Sequence, residues 1–288
     1  MQKNISEFIS KTFYENKLTN DENHVDKINK ELIYNIIKIG NNFSFFDVQY
    51  GEEFFDEERK SYINKNEMKF SFDLIKKIIS EIRKKTRLLE EEKNKKKKEN
   101  EQGNKNENNP VTVTTYEEDE KIKTLRNYKF AIICPYKSQV MKFRDKKKKD
   151  GFFKERDIND IEINTVDSFQ GQERDIIIVS TVRANFKEET INLEEGEIPQ
   201  SGPSPQSHDT ESNEKDGKNN IGIGFLNDFR RMNVGLSRAK ACCFVVGHYE
   251  TLKNNNYWNK LMNYCKEKNS FFKVDKDDKS VAMKNIFV

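Results

Sequence analysis

The sequence predicts an α/β fold in which a doubly wound, mainly parallel sheet is flanked by helices on both faces. Short apolar runs typical of strands alternate along the chain with longer segments whose apolar residues recur at helical spacing. One strand-like run, DIIIVSTV from Asp175 to Val182, is continuously apolar rather than alternating. Because both faces of such a strand must be covered, this run favours a position inside a parallel sheet.

The amino-terminal half supplies the first elements of this alternation. SFFDVQY at Ser44–Tyr50 predicts a short strand, and Asn66–Leu89 places its apolar residues on one face of a helix. KFAIICPY at Lys129–Tyr136 predicts a buried strand that ends near a proline, and a charged helix is expected from Ser138 to about Asp150. The residues INTV then predict another strand, which leads through the turn FQGQE to DIIIVSTV.

The carboxy-terminal half continues the alternation. FLNDFRRMNVGLSRAK at Phe225–Lys240 predicts a helix, ACCFVVGH a strand, and the segment around Trp258 a final helix. Helical spacing places five residues of the first of these helices against the core: Phe225, Phe229, Met232, Leu236 and Ala239. Arg231 and Arg238 are expected on another face, with Gly235 between them permitting a close approach. They either solvate the helix or bind an anion, and periodicity leaves both alternatives open.

Polar residues are concentrated in two segments. Only 34% of the 288 residues are hydrophobic and the mean hydropathy is −0.96, which is low for a globular domain. The segments at about residues 90–110 and 187–220 contain few large apolar side chains. Segments of this composition cannot bury enough surface to offset the entropy of ordering the backbone. We therefore expect one domain over residues 1–288, interrupted by two disordered inserts.

Charge, cysteine content and hydropathy argue against several classes of protein. The chain has 52 basic and 49 acidic residues and a formal net charge of +3, so charge alone does not indicate nucleic-acid binding. The four cysteines form no C-x-x-C pair and the three histidines are scattered, so we expect buried thiols and no metal site. There is neither a membrane-length apolar run nor a signal-like amino terminus, so we expect an intracellular protein without a membrane partner.

Four stretches resemble the motifs of a known family, in order and in spacing. They are PYKSQ at Pro135–Gln139, TVDSFQGQERD at Thr165–Asp175, VRAN at Val182–Asn185 and GFLNDFRRMNVGLSRAK at Gly224–Lys240. They resemble motifs IV, V, Va and VI of the second RecA-like domain of superfamily 1 RNA/DNA helicases, the group that contains senataxin and the nonsense-mediated-decay helicase. The senataxin branch fits best, and SYINKNE at Ser61–Glu67 also looks like a segment of this family. The resemblance implies a RecA-like fold of the P-loop NTPase type.

The resemblance implies a nucleotide site that takes ATP with Mg²⁺. Glu173 is similar to the motif V glutamate that accepts hydrogen bonds from the ribose, and Gly171 makes room for it in the turn. Arg238 resembles the motif VI arginine finger, whose planar fork of donors contacts the γ-phosphate. Arg231 is a second candidate for this site, with motif support or a packing salt bridge as equal alternatives.

Seven further residues resemble family positions near the nucleic-acid track: Tyr136, Lys137, Gln139, Thr165, Ser168, Arg183 and Asn185. The implied partner is single-stranded RNA or DNA, contacted mainly through phosphate and sugar, so that little base sequence would be read. A structural capping role is an equal alternative for each of these residues.

The chain lacks the parts that a first RecA-like domain would supply. It contains no P-loop sequence G-x-x-x-x-G-K-[ST]. Met1 resembles a methionine inside a family motif, so we expect the chain to be a fragment or a truncated gene model. By the resemblance, the first domain would complete the ATP site and hold the Mg²⁺ ligands. The chain alone is then expected neither to hydrolyse ATP nor to unwind a duplex.

Two functions remain open at the level of sequence; a structural scaffold that works through the charged inserts is the least favoured interpretation, because such inserts usually behave as solvated linkers. The first is the C-terminal motor domain of an ATP-dependent RNA/DNA helicase, for which the resemblance favours the nucleus over the cytoplasm. The second is a non-catalytic module that binds nucleic acid and retains relic helicase motifs. A P-loop in an upstream segment or a neighbouring chain would favour the first function.

Overall fold

A central parallel sheet organises the molecule. The computed structural model describes residues 1–19, 36–38, 41–102, 111–154, 161–185, 222–277 and 283–287. Eight strands lie in these ranges: β1 Phe43–Val48, β2 Phe54–Asp56, β3 Ser61–Ile63, β4 Phe130–Cys134, β5 Ile161–Thr165, β6 Arg174–Ser180, β7 Ala239–Gly247 and β8 Phe271–Val274. Six of them form one parallel sheet in the order β5-β4-β6-β7-β1-β8, and β2 pairs with β3 as a separate antiparallel hairpin. The predicted parallel α/β sheet is confirmed.

Helices cover both faces of this sheet. The described ranges contain seven α-helices: α1 Lys3–Phe13, α2 Lys65–Gln102, α3 Val111–Arg126, α4 Lys137–Lys149, α5 Phe229–Ser237, α6 Tyr249–Leu252 and α7 Asn256–Glu267. Helices α2, α3 and α4 pack on one face, and α1, α5 and α7 pack on the other. Short 3₁₀ turns at Asp167–Phe169 and Gly224–Asn227 connect strands and helices.

The sheet separates two hydrophobic cores. Because successive side chains of a strand point to opposite faces, Phe46 and Ile178 pack against the first group of helices, while Phe45 and Ile177 pack against the second. All four side chains are fully buried. This arrangement explains the continuous apolar run of β6 and confirms that the sheet is covered on both sides.

The first predicted insert begins later than the composition indicated. Helix α2 runs to Gln102, so the expectation of disorder was wrong for residues 90–102. The stretch consists mainly of Glu and Lys, which favour a helix without apolar burial, and Lys93 and Lys96 also pair with Asp119 and Glu118 of α3. Residues 103–110 and 186–221, which hold the rest of both predicted inserts, lie outside the described residues.

Helix α5 is shorter than the pattern predicted. It begins after Asp228, whose side chain caps the helix by accepting the Arg230 N–H at 2.9 Å. It ends at Ser237 because Ala239 already pairs with Arg174 in the sheet. Sheet pairing therefore overrides the helical periodicity of the last residues of the predicted helix.

The shorter helix changes which residues face the core. Phe225 and Phe229, which helical spacing placed in the core, are 51% and 40% exposed, so that expectation was wrong. Phe225 lies in the 3₁₀ turn before α5, and Phe229 is the first residue of the helix, at the edge of the sheet. The remaining three predicted core residues are buried: Met232, Leu236 and Ala239.

Two expectations drawn from composition can be compared with the structure. All four cysteines are buried and free of disulfide bonds, as small apolar side chains in a core would be. Within the part of the chain that the structure describes, no helix combines the length and the apolar character needed to cross a membrane.

Candidate functional site

Glu173 and Arg238 lie side by side at one edge of the sheet. Glu173 immediately precedes β6 and Arg238 immediately precedes β7, and these two strands are parallel neighbours. The backbone N–H of Arg174, the residue after Glu173, donates to the carbonyl oxygen of Arg238 at 3.1 Å. The structure thus brings the predicted carboxylate and the predicted guanidinium to the amino-terminal ends of adjacent strands.

The FQGQE turn delivers Glu173 to this edge. Phe169 is fully buried and anchors the turn, and its carbonyl oxygen accepts the Gln172 N–H at 3.1 Å. Gly171 has φ of +80°, a backbone conformation that other residues adopt only with strain. No atom lies within 4 Å of the position that a Cβ would take there, so the glycine meets a backbone requirement of the turn.

Both side chains of this pair are accessible to a ligand. Glu173 is half-exposed and lies 3.6 Å from the Nζ of Lys240. Exposed pairs of this kind contribute only about 0 to 1 kcal/mol, so a ligand can replace the contact. The guanidinium of Arg238 contacts the hydroxyl of its neighbour Ser237, at 2.9 Å from Nη2, and it forms no ion pair with any described residue. A hydroxyl-bearing anion would satisfy both groups.

Arg231 occupies a different place from Arg238. Its Nε donates to Asp167 Oδ1 at 3.0 Å, and its guanidinium lies 4.8 Å from the ring centre of Phe225. Seven residues of helix separate the two arginines by about 10 Å along the axis. The contacts of Arg231 correspond to the packing salt bridge that the sequence left open. Gly235 between them packs against Val166, and a Cβ there would meet Val166 Cγ2 at 4.0 Å, which is an ordinary contact.

The predicted nucleic-acid residues gather at the opposite, carboxy-terminal edge. They follow three strands that are adjacent in the sheet, β5, β4 and β6. Thr165 ends β5 and Ser168 lies just beyond it; Tyr136, Lys137 and Gln139 follow β4; Arg183 and Asn185 follow β6. The two candidate sites are therefore at opposite edges of the same sheet, with β6 common to both.

Three of these residues face solvent. Lys137 is exposed at the start of α4, and Ser168 is exposed in the turn after β5. The hydroxyl oxygens of Thr165 and Ser168 lie 2.8 Å apart, and the Ser168 N–H donates to Thr165 Oγ1 at 3.3 Å. These side chains can present an ammonium group and two hydroxyl groups to a phosphate.

Three others are buried and hold the edge together. The amide of Gln139 accepts from the Asn64 N–H and donates to the Asn64 carbonyl, both at 3.0 Å. Arg183 forms a fork with Glu53, at 2.8 Å and 3.1 Å, and lies 4.2 Å from the ring centre of Tyr62. The hydroxyl of Tyr136 donates to the Ile223 carbonyl oxygen at 3.1 Å. All three side chains are buried: Gln139, Arg183 and Tyr136.

Electrostatics agree with a structural role for Arg183. Burial lowers the pKa of its guanidinium, but hydrogen bonds to Glu53 and Tyr136 outweigh that effect and leave the pKa raised. Burial also raises the pKa of the Tyr136 hydroxyl. The last of the seven, Asn185, donates its backbone N–H to Thr251 Oγ1 at 3.0 Å, while its buried Oδ1 has no hydrogen-bond partner among the described residues.

Sequence reasoning missed two residues that shape this edge, Asn64 and Glu67. Both oxygens of the Glu67 carboxylate accept the Val182 N–H, at 2.9 Å and 3.0 Å, and one also accepts from Ser180 Oγ at 2.6 Å. Asn64 Nδ2 donates to the Val182 carbonyl at 3.0 Å, and its Oδ1 accepts the Glu67 N–H. These four residues form a buried clamp that joins the start of α2 to the end of β6. Nothing in the local sequence marks this role; both residues lie in SYINKNE, which resembles a segment of the helicase family.

The clamp holds an unusual backbone. Val182 has φ of +73°, which is sterically costly for a β-branched residue. Burial raises the pKa of Glu67 to about 8, and the hydrogen bonds that it accepts oppose this shift. The buried carboxyl group of Glu67 therefore sets the path of the chain from β6 into the VRAN segment.

The sheet and its helices define a class of fold. A parallel six-stranded sheet covered by helices on both faces is the architecture of a RecA-like α/β domain. A family model described as an AAA domain matches residues 1–90 and 84–250, and the chain belongs to this family.

Curated relatives are similar to this chain over much of its length. Probable helicase MAGATAMA 3 of Arabidopsis thaliana is 37% identical over 57% of the chain and 15% of the relative. Helicase SEN1 of Saccharomyces cerevisiae is 27% identical over 93% of the chain and 9% of the relative. Regulator of nonsense transcripts 1 homolog of Drosophila melanogaster is 33% identical over 52% of the chain and 10% of the relative. The resemblance to superfamily 1 helicases is confirmed, and the chain spans only a small part of the length of these relatives.

Proposed function

We propose that this chain is the C-terminal motor domain of an ATP-dependent RNA/DNA helicase. It would supply motifs IV, V and VI to an ATP site that is completed by a first RecA-like domain, which this chain does not contain. The observation that carries the proposal is the hydrogen bond between the Arg174 N–H and the Arg238 carbonyl, because it holds Glu173 beside Arg238. Similarity to helicases over most of the chain supports the same function.

Each of the two side chains has a defined task in this proposal. Glu173 accepts hydrogen bonds from the ribose hydroxyl groups, and its loose contact with Lys240 leaves it free to do so. The guanidinium N–H groups of Arg238 donate hydrogen bonds to the γ-phosphate, and its charge stabilises the negative charge that develops there. ATP supplies the bond to be cleaved, and we assign the Mg²⁺ ligands to the first domain, since no P-loop occurs in this sequence.

We further propose that single-stranded nucleic acid crosses the carboxy-terminal edge. Lys137, Thr165 and Ser168 would contact phosphate and sugar, since they are accessible there. Gln139 and Arg183, which are buried, would hold in place the loops that carry those three residues. An intracellular, nuclear protein is part of this proposal, and it rests on the resemblance alone.

A chimera tests the nucleotide assignment. In it, this chain replaces the segment of Helicase SEN1 that it matches, and ATP hydrolysis is measured with and without single-stranded RNA. We expect Arg238→Ala to lower kcat by about 10³-fold or more. Arg231→Ala is the matched control for hydrolysis without RNA, because its partner is Asp167, and there it should stay within a few fold of wild type. Equal effects of the two variants would refute the finger assignment.

A non-catalytic nucleic-acid module is the second candidate. The observation in its favour is that the carboxy-terminal edge is assembled wholly from this chain, whereas the proposed ATP site needs a second domain. This candidate predicts that the isolated chain binds single-stranded nucleic acid with an affinity that falls steeply with salt. It also predicts that the chimera hydrolyses no ATP even when it binds RNA.

A further inference from the structure

Two exposed aromatic rings, Phe225 and Phe229, lie beside the carboxy-terminal edge. Phe229 stacks on Tyr257 with ring centres 5.1 Å apart and an interplanar angle of 16°, and Tyr257 stacks on Phe13 at 5.8 Å and 10°. Phe225 is the most exposed of the large apolar side chains in the described ranges. We call Phe225 and Phe229 the aromatic platform; Tyr257 is half-buried and both of its faces are covered, by Phe229 and Phe13.

The exposure of Phe225 is built into the fold. The carbonyl oxygen of Ile223 accepts the Tyr136 hydroxyl at 3.1 Å, and the carbonyl oxygen of Leu226 accepts Trp258 Nε1 at 2.9 Å. The backbone is therefore held on both sides of Phe225 by side chains from two other elements. The ring meets Tyr136 edge-on at 5.7 Å, so it stands next to the predicted nucleic-acid residues.

Each ring of the platform carries a cation, and so does Tyr257. Arg231 lies 4.8 Å from the centre of Phe225, Arg230 lies 5.7 Å from that of Phe229, and Lys260 lies 5.5 Å from that of Tyr257. Two carboxylates oppose them: Asp167 pairs with Arg231, and Asp228 caps α5. Lys137, next to Tyr136, adds a further positive charge at this edge.

A second pair of exposed rings serves as an internal comparison. Phe54 and Phe55 on the β2–β3 hairpin are 45% and 43% exposed, close to the values of the platform. Their segment, EEFFDEERK at Glu52–Lys60, has five carboxylates and two cations. Lys65 and Lys60 lie over these two rings as well, at 5.7 Å and 5.8 Å, so the hairpin differs from the platform in its excess of carboxylates, which disfavours a polyanion.

We propose that the aromatic platform stacks the bases of single-stranded nucleic acid, while Arg230 and Lys260 contact its phosphates. The proposal rests on the proposed function, since it concerns the same edge of the domain. Stacked aromatic rings interleaved with cations bind single strands without reading their sequence, because every base has a π-face. Neither Phe225 nor Phe229 was among the predicted nucleic-acid residues.

Binding of labelled U₁₅ and dT₁₅ to the whole chain, followed by fluorescence anisotropy, tests the proposal. Phe225→Ala and Phe229→Ala should each weaken binding by about 5- to 100-fold, and Phe225→Leu should weaken it nearly as much, because leucine keeps the bulk but lacks a π-face. The slope of log affinity against log salt should not change in these variants. Arg230→Ala should reduce that slope by about one. Phe54→Ala and Phe55→Ala are the matched controls and should bind as wild type.

The outcomes separate this proposal from the proposed function. If wild type binds and the Phe225 and Phe229 variants bind equally well, the platform is refuted while the function of the edge stands. Full affinity in Phe225→Leu would refute stacking in favour of a merely apolar contact. A loss of equal size in Phe54→Ala would also contradict the proposal. No binding by wild type would overturn both, and thermal melting of each variant shows that a loss of affinity is not a loss of fold.

Discussion

Both carboxylate oxygens of Glu67 accept the backbone N–H of Val182, at 2.9 Å and 3.0 Å, across 115 residues of sequence. Val182 sits where β6 leaves the sheet and carries a left-handed φ of +73°. Arg183, the next residue, turns back to Glu53 on the segment that enters the β2–β3 hairpin. A single buried side chain therefore sets the course of the chain at the edge to which we assign nucleic acid.

Removing this carboxylate should destabilise the domain. Glu67→Ala leaves the Val182 N–H and the Ser180 hydroxyl without an acceptor in a buried place, and we expect a loss of about 3 kcal/mol in the free energy of unfolding. Glu91→Ala on the exposed part of the same helix should change it by less than about 0.5 kcal/mol. Urea unfolding measures both, and equal values would contradict the role of the clamp.

Stability should fall as the pH rises from about 5 to 8. Burial raises the pKa of Glu67 from 4.5 to about 8, so in this range the folded state binds a proton that the unfolded state has released. Burial of Asp47, whose pKa is raised to about 6, acts in the same direction. One such group can change the free energy of unfolding by at most about 1.4 kcal/mol per pH unit.

Glu67→Gln is the variant that isolates this effect, because glutamine does not titrate. Its free energy of unfolding should depend less on pH between 5 and 8 than that of wild type. A wild-type stability that rises over this range, or a glutamine variant with the same slope as wild type, would contradict the assignment.

Replacement by alanine should change the stability of the fold in opposite directions at Gly171 and at Gly235. Gly171→Ala should cost about 1 kcal/mol or more, because alanine is strained at φ of +80° although it has space. Gly235→Ala should be neutral or stabilising by up to about 1 kcal/mol, since it lies inside α5 with room for a methyl group. Thermal denaturation distinguishes the two, and a loss at Gly235 would indicate that an added methyl group does not fit there.

The buried ion pair between Glu53 and Arg183 should stabilise the fold more than the exposed ion pairs near it. Glu53→Ala leaves a buried guanidinium without its partner, and we expect a loss of about 3 kcal/mol in the free energy of unfolding. Glu58→Ala, nearby in the same hairpin, removes an exposed partner of Arg59 and should cost less than about 1 kcal/mol. Urea unfolding compares the two, and a similar small loss in both would show that Arg183 is satisfied elsewhere.

The sequence predicted the parallel sheet well because apolar runs such as that of β6 report burial directly. It did not predict the end of α5, since pairing of Ala239 with Arg174 depends on a residue 65 positions earlier. It also missed the helical residues 90–102, because composition signalled polarity whereas Glu and Lys favour a helix without apolar burial.

The residues of the candidate sites, like the elements of the fold, could be predicted from the sequence only in part. Glu173 and Arg238 were placed by resemblance, and the structure brings them together through one backbone hydrogen bond. Glu67 and Asn64 carry no local signal of their role, because each acts on Val182, more than one hundred residues away. The exposed rings of Phe225 and Phe229 were hidden by a helical pattern that predicted burial.

The central claim is that Glu173 and Arg238 act on one nucleotide. The most direct measurement is hydrolysis of ATP and of 2′,3′-dideoxy-ATP by the SEN1 chimera and its variants. We predict that Glu173→Ala abolishes the preference for ATP, whereas Arg238→Ala lowers kcat for both nucleotides and leaves their ratio unchanged. A Glu173 variant that keeps the wild-type preference, together with an Arg238 variant of near-normal kcat, would contradict the account.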